Sequence, residues 1–113
     1  MTKGIIKFRH QYHKLSRPEF TTIRGKSQFQ KYRGGEIVVI EAPAGSFKAE
    51  VTGVDLQKPA EMPLAFIKAD AEYPGFILKS VDEFITLLNS FRAPAWKKAS
   101  KDEPMAVIHL KKL

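Results

Sequence analysis

Apolar residues recur along this chain with two different periods, and the change of period separates strand-forming from helix-forming stretches. Ile5-Ile6-Lys7-Phe8 is a short β-type run. Phe20-Thr21-Thr22-Ile23-Arg24 is β-branched and aromatic, follows Pro18, which favours an extended approach, and stops at Gly25. Arg33-Gly34-Gly35 is a turn signal ahead of Glu36-Ile37-Val38-Val39-Ile40-Glu41, whose unbroken apolar centre predicts a strand buried on both faces. Pro43-Ala44-Gly45-Ser46 reads as a hairpin turn. In the next strand, Phe47 to Leu56, the residues Phe47, Ala49, Val51 and Gly53 fall on one face and Lys48, Glu50 and Thr52 on the other. Val54 breaks that phase beside Gly53, which predicts a bulge or bend.

The period then lengthens. Residues 63–72 suit a short helix with Pro63 in its first turn, ended by Pro74-Gly75. Ser80-Val81-Asp82-Glu83 is a capping box, and Val81, Phe84, Ile85, Leu88 and Phe91 form one apolar stripe before Pro94 closes that helix. Met105 to Lys111 reads as a last strand. A sheet with so few strands hides its edges best by curling and covering its open side with helices. The expected fold is α+β, one domain over residues 1–113: a small barrel of about five to six mostly antiparallel strands, with two or three short helices covering one side.

Composition narrows the function classes. The chain has no cysteine, which excludes disulfides and thiolate zinc sites and is compatible with a reducing compartment. Its amino-terminal apolar run is two residues long, too short for a signal peptide, and no stretch approaches the length of a membrane span. The expectation is a cytoplasmic protein without a membrane, metal or cofactor partner. The net charge of +7 is unevenly spread: residues 1–34 carry +8, residues 35–95 carry −4 and residues 96–113 carry +3. A fold that joins the chain ends concentrates positive potential on one face, which attracts polyanions.

Three phrases in order carry a family likeness: Thr21-Thr22-Ile23-Arg24-Gly25, then Tyr32-Arg33-Gly34-Gly35-Glu36-Ile37-Val38-Val39-Ile40, then Ala49-Glu50-Val51-Thr52-Gly53-Val54. Together they resemble the ASCH domain, within the PUA-like group, over roughly residues 5–112. The resemblance implies a PUA-like barrel with a cleft between barrel and helices, and RNA binding. It also implies, as an alternative, an amidohydrolase that removes acetyl from a modified nucleoside such as acetylcytidine. That activity uses a Lys, a Thr three residues later and a Glu from the helical segment. Thr22 matches the Thr, Arg24 the Arg that follows it, and Glu72 the Glu. The Lys position holds Glu19, which supplies no neutral amine, and Gly35-Glu36 stands for the common Gly-Asp.

The leading expectation is therefore a binding domain for RNA or a nucleotide. Thr22 and Arg24, two apart on a strand, share a face and would line the cleft. Lys14, Arg17, Lys26, Lys97 and Lys98 would contact phosphates. Arg24 could instead pair with Glu36 or Glu50. Tyr12, His10 and His13 lie among the charges and suit base stacking, although Tyr12 equally suits packing on the barrel. Trp96 either stacks on a base or anchors its loop. Thr22 and Glu72 would be catalytic only in the amidohydrolase. The two neighbouring histidines have no metal-specific spacing, and Asp70 and Glu61 rank below Glu72 as candidate acids. The sequence sets no oligomeric state.

Overall fold

The computed structural model describes residues 2–90 and 100–113. The expected elements at Phe91, Pro94, Trp96, Lys97 and Lys98 lie outside the described residues. Five strands form one mixed sheet: β1 (Thr2–Lys7), β2 (Glu19–Arg24), β3 (Ile37–Ala42), β4 (Gly45–Gln57) and β5 (Met105–Lys112). Their spatial order is β1-β3-β4-β5-β2. β1 runs parallel to β3, and the other three pairings are antiparallel. Two helices, α1 (Leu64–Ala71) and α2 (Val81–Ser90), fall between β4 and β5 in sequence. This is the α+β domain with two helices that the pattern predicts. The barrel is not closed by a strand ladder, because β1 and β2 are the two ends of the sheet order and do not pair with each other.

Local chemistry accounts for the turns. The Pro43-Ala44 hairpin joins Ala42 to its partner Gly45, whose φ of 140° suits glycine. Pro74-Gly75 turns the chain between the bridged residues Tyr73 and Phe76, with Gly75 at φ 89° as a type II turn needs. The register of β4 against β5 shifts between Val51 and Gly53, so Thr52 is the extra residue of the expected bulge. At α2, Glu83 N–H donates to the Ser80 hydroxyl and Lys79 N–H donates to the Glu83 carboxylate.

Two apolar clusters lie on opposite faces of the sheet. One gathers Ile6, Leu15, Phe20, Val38, Ile40, Val51, Ile108 and Leu110. The other sets Ile23, Met105 and Val107 against Ile67, Leu78 and Phe84 of the helical segment. The alternation explains the division: Phe20, Ile108 and Leu110 point one way, Ile23 and Val107 the other. The doubly buried strand is thus β5, whose residues 105–108 are all buried, and not β3. In β3 only Val38 and Ile40 are fully enclosed, and Ile37 and Val39 stay partly exposed because no helix covers them.

Candidate functional site

The two unpaired sheet edges bound a cavity of about 730 Å³. Its walls come from the end of β1 (Ile5 to Lys7, then Phe8 and Arg9) and the end of β2 (Thr22 to Arg24). The turn from Gly25 to Tyr32, the crossing segment that holds Tyr12 and Lys14, and Asp70 and Ala71 of α1 add further wall, and apolar side chains of α2 and β5 complete it.

Arg24 spans the gap. Its Nε donates to the Thr22 hydroxyl at 3.0 Å, on the same face of β2 two residues back. Its Nη2 donates to the Lys7 carbonyl at 3.1 Å, on the opposite edge. The guanidinium carbon lies 5.2 Å from the centre of the Phe8 ring, a cation–π distance. Among the described residues no carboxylate forms an ion pair with Arg24, so the expected alternatives Glu36 and Glu50 do not hold it. Burial pushes its pKa down from the usual arginine range, opposed first by Asp70.

Beside Arg24 is a buried ion pair. Lys14 Nζ donates to Asp70 Oδ1 at 3.1 Å, and the Thr21 hydroxyl donates to the same oxygen at 2.9 Å. Lys14 and Asp70 keep only 4% and 6% of their surface exposed. The expectation of a solvated, phosphate-contacting Lys14 is corrected here. The ammonium faces the Phe8 and Tyr12 rings at 4.9 and 5.3 Å, and burial lowers its pKa against the pull of Asp70. Thr21 and Thr22 point to opposite faces of β2, so one hydroxyl serves Asp70 and the other accepts from Arg24.

The remaining candidates divide. Lys26 is exposed on the cavity wall, joined by Lys7, Arg9 and Lys31, which the sequence reading did not single out. Arg17 is exposed and lies outside the cavity lining. Glu72 lies outside the cavity lining. It caps α1, accepting from Lys68 Nζ at 2.9 Å and from Leu78 N–H at 2.8 Å. Those bonds hold its carboxyl below the usual range, with Lys68 the largest influence. The carboxylate on the cavity wall is Asp70. A signal existed: Asp70 falls three residues after Ile67 and one before Ala71, on the buried stripe of α1. Lys14 had no such signal, since it sits in a single 3₁₀ turn, His13–Ser16.

Tyr12 is packed. It stands edge-on to Phe8, His10 and Tyr73, and burial raises its pKa. His10 stacks on Tyr73 with ring centres 3.9 Å apart. Among the described residues no group of three or more His, Asp or Glu could hold a metal ion, and no helix is long and apolar enough to cross a membrane.

No family model matches the chain. It is 37% identical to the uncharacterized protein MJ0364 of Methanocaldococcus jannaschii over 110 residues, covering 96% of this chain and 95% of that one. The fold is similar to the crystal structure of the hypothetical protein PH0355, with a TM-score of 0.62 at 15% identity, over 97% of this chain and 98% of the other. This second likeness concerns the fold alone.

Proposed function

This chain belongs to the same family as the Methanocaldococcus jannaschii protein, and we propose that it binds RNA or a nucleotide in the cationic cavity between its sheet edges. In this reading it is a cytoplasmic, PUA-like domain of the ASCH type. Such a barrel would be completed across the β1–β2 gap by a side chain, Arg24, and not by a ladder.

One observation carries the reading. Six cationic side chains, Lys7, Arg9, Lys14, Arg24, Lys26 and Lys31, line the cavity with one carboxylate, and Asp70 is already engaged by Lys14 and Thr21. Such a chamber has a strong surplus of positive potential in partly desolvated surroundings and draws in anions. Its volume lies within the roughly 300–1,000 Å³ typical of small-ligand pockets, so it admits an unpaired nucleotide and no duplex. Fluorescence anisotropy with labelled single-stranded RNA, duplex RNA and DNA at two salt concentrations tests this. Single-stranded RNA should bind, with affinity falling steeply as salt rises, and Lys26→Ala should flatten the salt slope by about one unit. Background affinity for all three would refute the reading.

A second reading is favoured by one feature: Lys14 brings an amine to the cavity that Thr22 lines, where Glu19 could not. The activity would be hydrolysis of an acetylated nucleoside. Against it, the amine is bonded to Asp70, and Thr22 takes its bond from Arg24. Release of acetate from acetylcytidine, abolished in Lys14→Met, would establish the hydrolase; no release by the wild type would dismiss it.

A further inference from the structure

Arg24 offers more donors than the protein uses. A guanidinium has five N–H groups in a rigid fork. One is given to Thr22 and one to the Lys7 carbonyl, and no described carboxylate pairs with the charge. Three N–H groups therefore remain on a cation at the cavity wall. The nearby acid takes none of these donors: Asp70 Oδ1 accepts from Lys14 and Thr21, and Asp70 acts on Arg24 only through space. A partly buried guanidinium with no carboxylate hydrogen-bonded to it is costly, and an anion from outside with several oxygens relieves that cost by accepting the unused donors.

The same bonds fix which part of a ligand reaches Arg24. The side chain ties β2 to β1 across the gap, and the Phe8 ring lies under it. A polynucleotide cannot thread between the two edges at that level, so the ligand meets Arg24 with an end. We propose that the cavity recognises a terminal phosphomonoester, with Arg24 as its bidentate anchor and the exposed Lys26 and Lys31 closing over it. This deepens the nucleotide-binding reading and rests on it. The phosphomonoester has two sources, the phosphorylated 5′ end of an RNA or a free nucleoside monophosphate, and both present the same dianionic group.

The test compares affinities of the wild-type protein for one RNA oligonucleotide with a 5′ phosphate and with a 5′ hydroxyl, and for AMP and adenosine. The phosphorylated member of at least one pair should bind at least about tenfold more tightly, as charged hydrogen bonds to an arginine fork require. AMP matching the phosphorylated RNA identifies the free nucleotide as sufficient; AMP failing where the RNA end binds identifies the end. The preference should weaken as pH falls from 7.5 to 5, because the second phosphate ionisation lies near 6. It should disappear in Arg24→Gln and survive only partly in Arg24→Lys, which keeps charge without the fork. Equal binding of phosphorylated and hydroxyl forms in both pairs overturns this inference and leaves the RNA-binding cavity standing. Background binding of all four ligands overturns both. The wild-type comparison needs no variant, so misfolding of Arg24→Gln cannot leave the question open.

Discussion

Removing the Asp70 carboxylate should cost this protein a large share of its stability, and the size can be worked from the geometry. Asp70 Oδ1 accepts from Lys14 Nζ at 3.1 Å and from Thr21 at 2.9 Å. In Asp70→Ala, Lys14 must stay charged without its partner or give up its proton. The second course sets a ceiling: taking a lysine of ordinary pKa 10.5 to neutrality at pH 7, at 1.36 kcal/mol per unit, costs about 5 kcal/mol. Burial already depresses the pKa in the native protein, so part of that cost is present before the substitution and the increment is smaller. The lost Thr21 bond adds about 1 kcal/mol. The expected loss is about 3–5 kcal/mol, in line with broken buried pairs and large beside a typical domain stability of roughly 5–15 kcal/mol. Urea denaturation followed by circular dichroism measures it. The double variant Lys14→Met/Asp70→Leu should regain most of the loss, because paired replacement of buried ions by apolar residues is often neutral or better. A loss below about 1 kcal/mol for Asp70→Ala would show that water reaches the ammonium. A double variant no better than the single one would show that the stranded charge is not the cause.

Further expectations concern protonation and backbone. The folded pKa of Lys14 lies below its unfolded value, so the unfolded chain binds more protons between the two. Stability should therefore rise with pH from the depressed pKa up to about 10.5, and Lys14→Met should lack that rise in melts across alkaline pH. Glu72 gives the same slope in the acid range: its lowered pKa contributes stability that is present above 4.5 and lost as pH falls through the folded value. Acid titration of Glu72→Gln should lack this step, while its RNA affinity stays that of the wild type. Gly35 holds φ at 93° with open space where a Cβ would go, so Gly35→Ala should cost about 1–2 kcal/mol in urea titration through backbone strain alone.

The strands and the bulge were legible because alternation and turn residues act locally. Phe47, Ala49 and Val51 declare one face of β4, and Gly53 marks where that face slips. The shared face of Arg24 and Thr22 was legible for the same reason, a spacing of two on a strand, although the bond between them was not. What could not be read is set by distance along the chain. The Lys14–Asp70 pair joins residues 56 positions apart, and nothing near Lys14 distinguishes it from the exposed Arg17. The family resemblance favours Glu72 by its place just before the second helix, but that position lets Lys68, one turn earlier, capture it. Double burial was assigned to β3 on its apolar run. It belongs to β5, because only tertiary packing decides which strand the helices cover.

The position of the cavity follows from the strand order. β1 and β2 are consecutive in sequence yet lie at opposite ends of the sheet, and β1 is the one strand that enters in parallel. The chain from Phe8 to Pro18 must cross the open side between them, bringing Phe8, Tyr12 and Lys14 to the gap. Strand edges left bare expose unpaired carbonyls and N–H groups, a liability for aggregation. Arg24 relieves one such group, the Lys7 carbonyl, from the opposite edge. The residue that bridges the two edges is thus also the cation with donors to spare, which couples the shape of the cavity to its charge. A lysine there would keep the charge but lacks the planar fork that reaches Thr22 and Lys7 while leaving N–H groups for a third partner. Arg24→Lys should therefore loosen the gap as well as weaken the ligand, seen as faster amide hydrogen exchange at the ends of β1 and β2 with the β4–β5 ladder unchanged. Unaltered exchange at both edges would mean that the crossing segment alone holds them together.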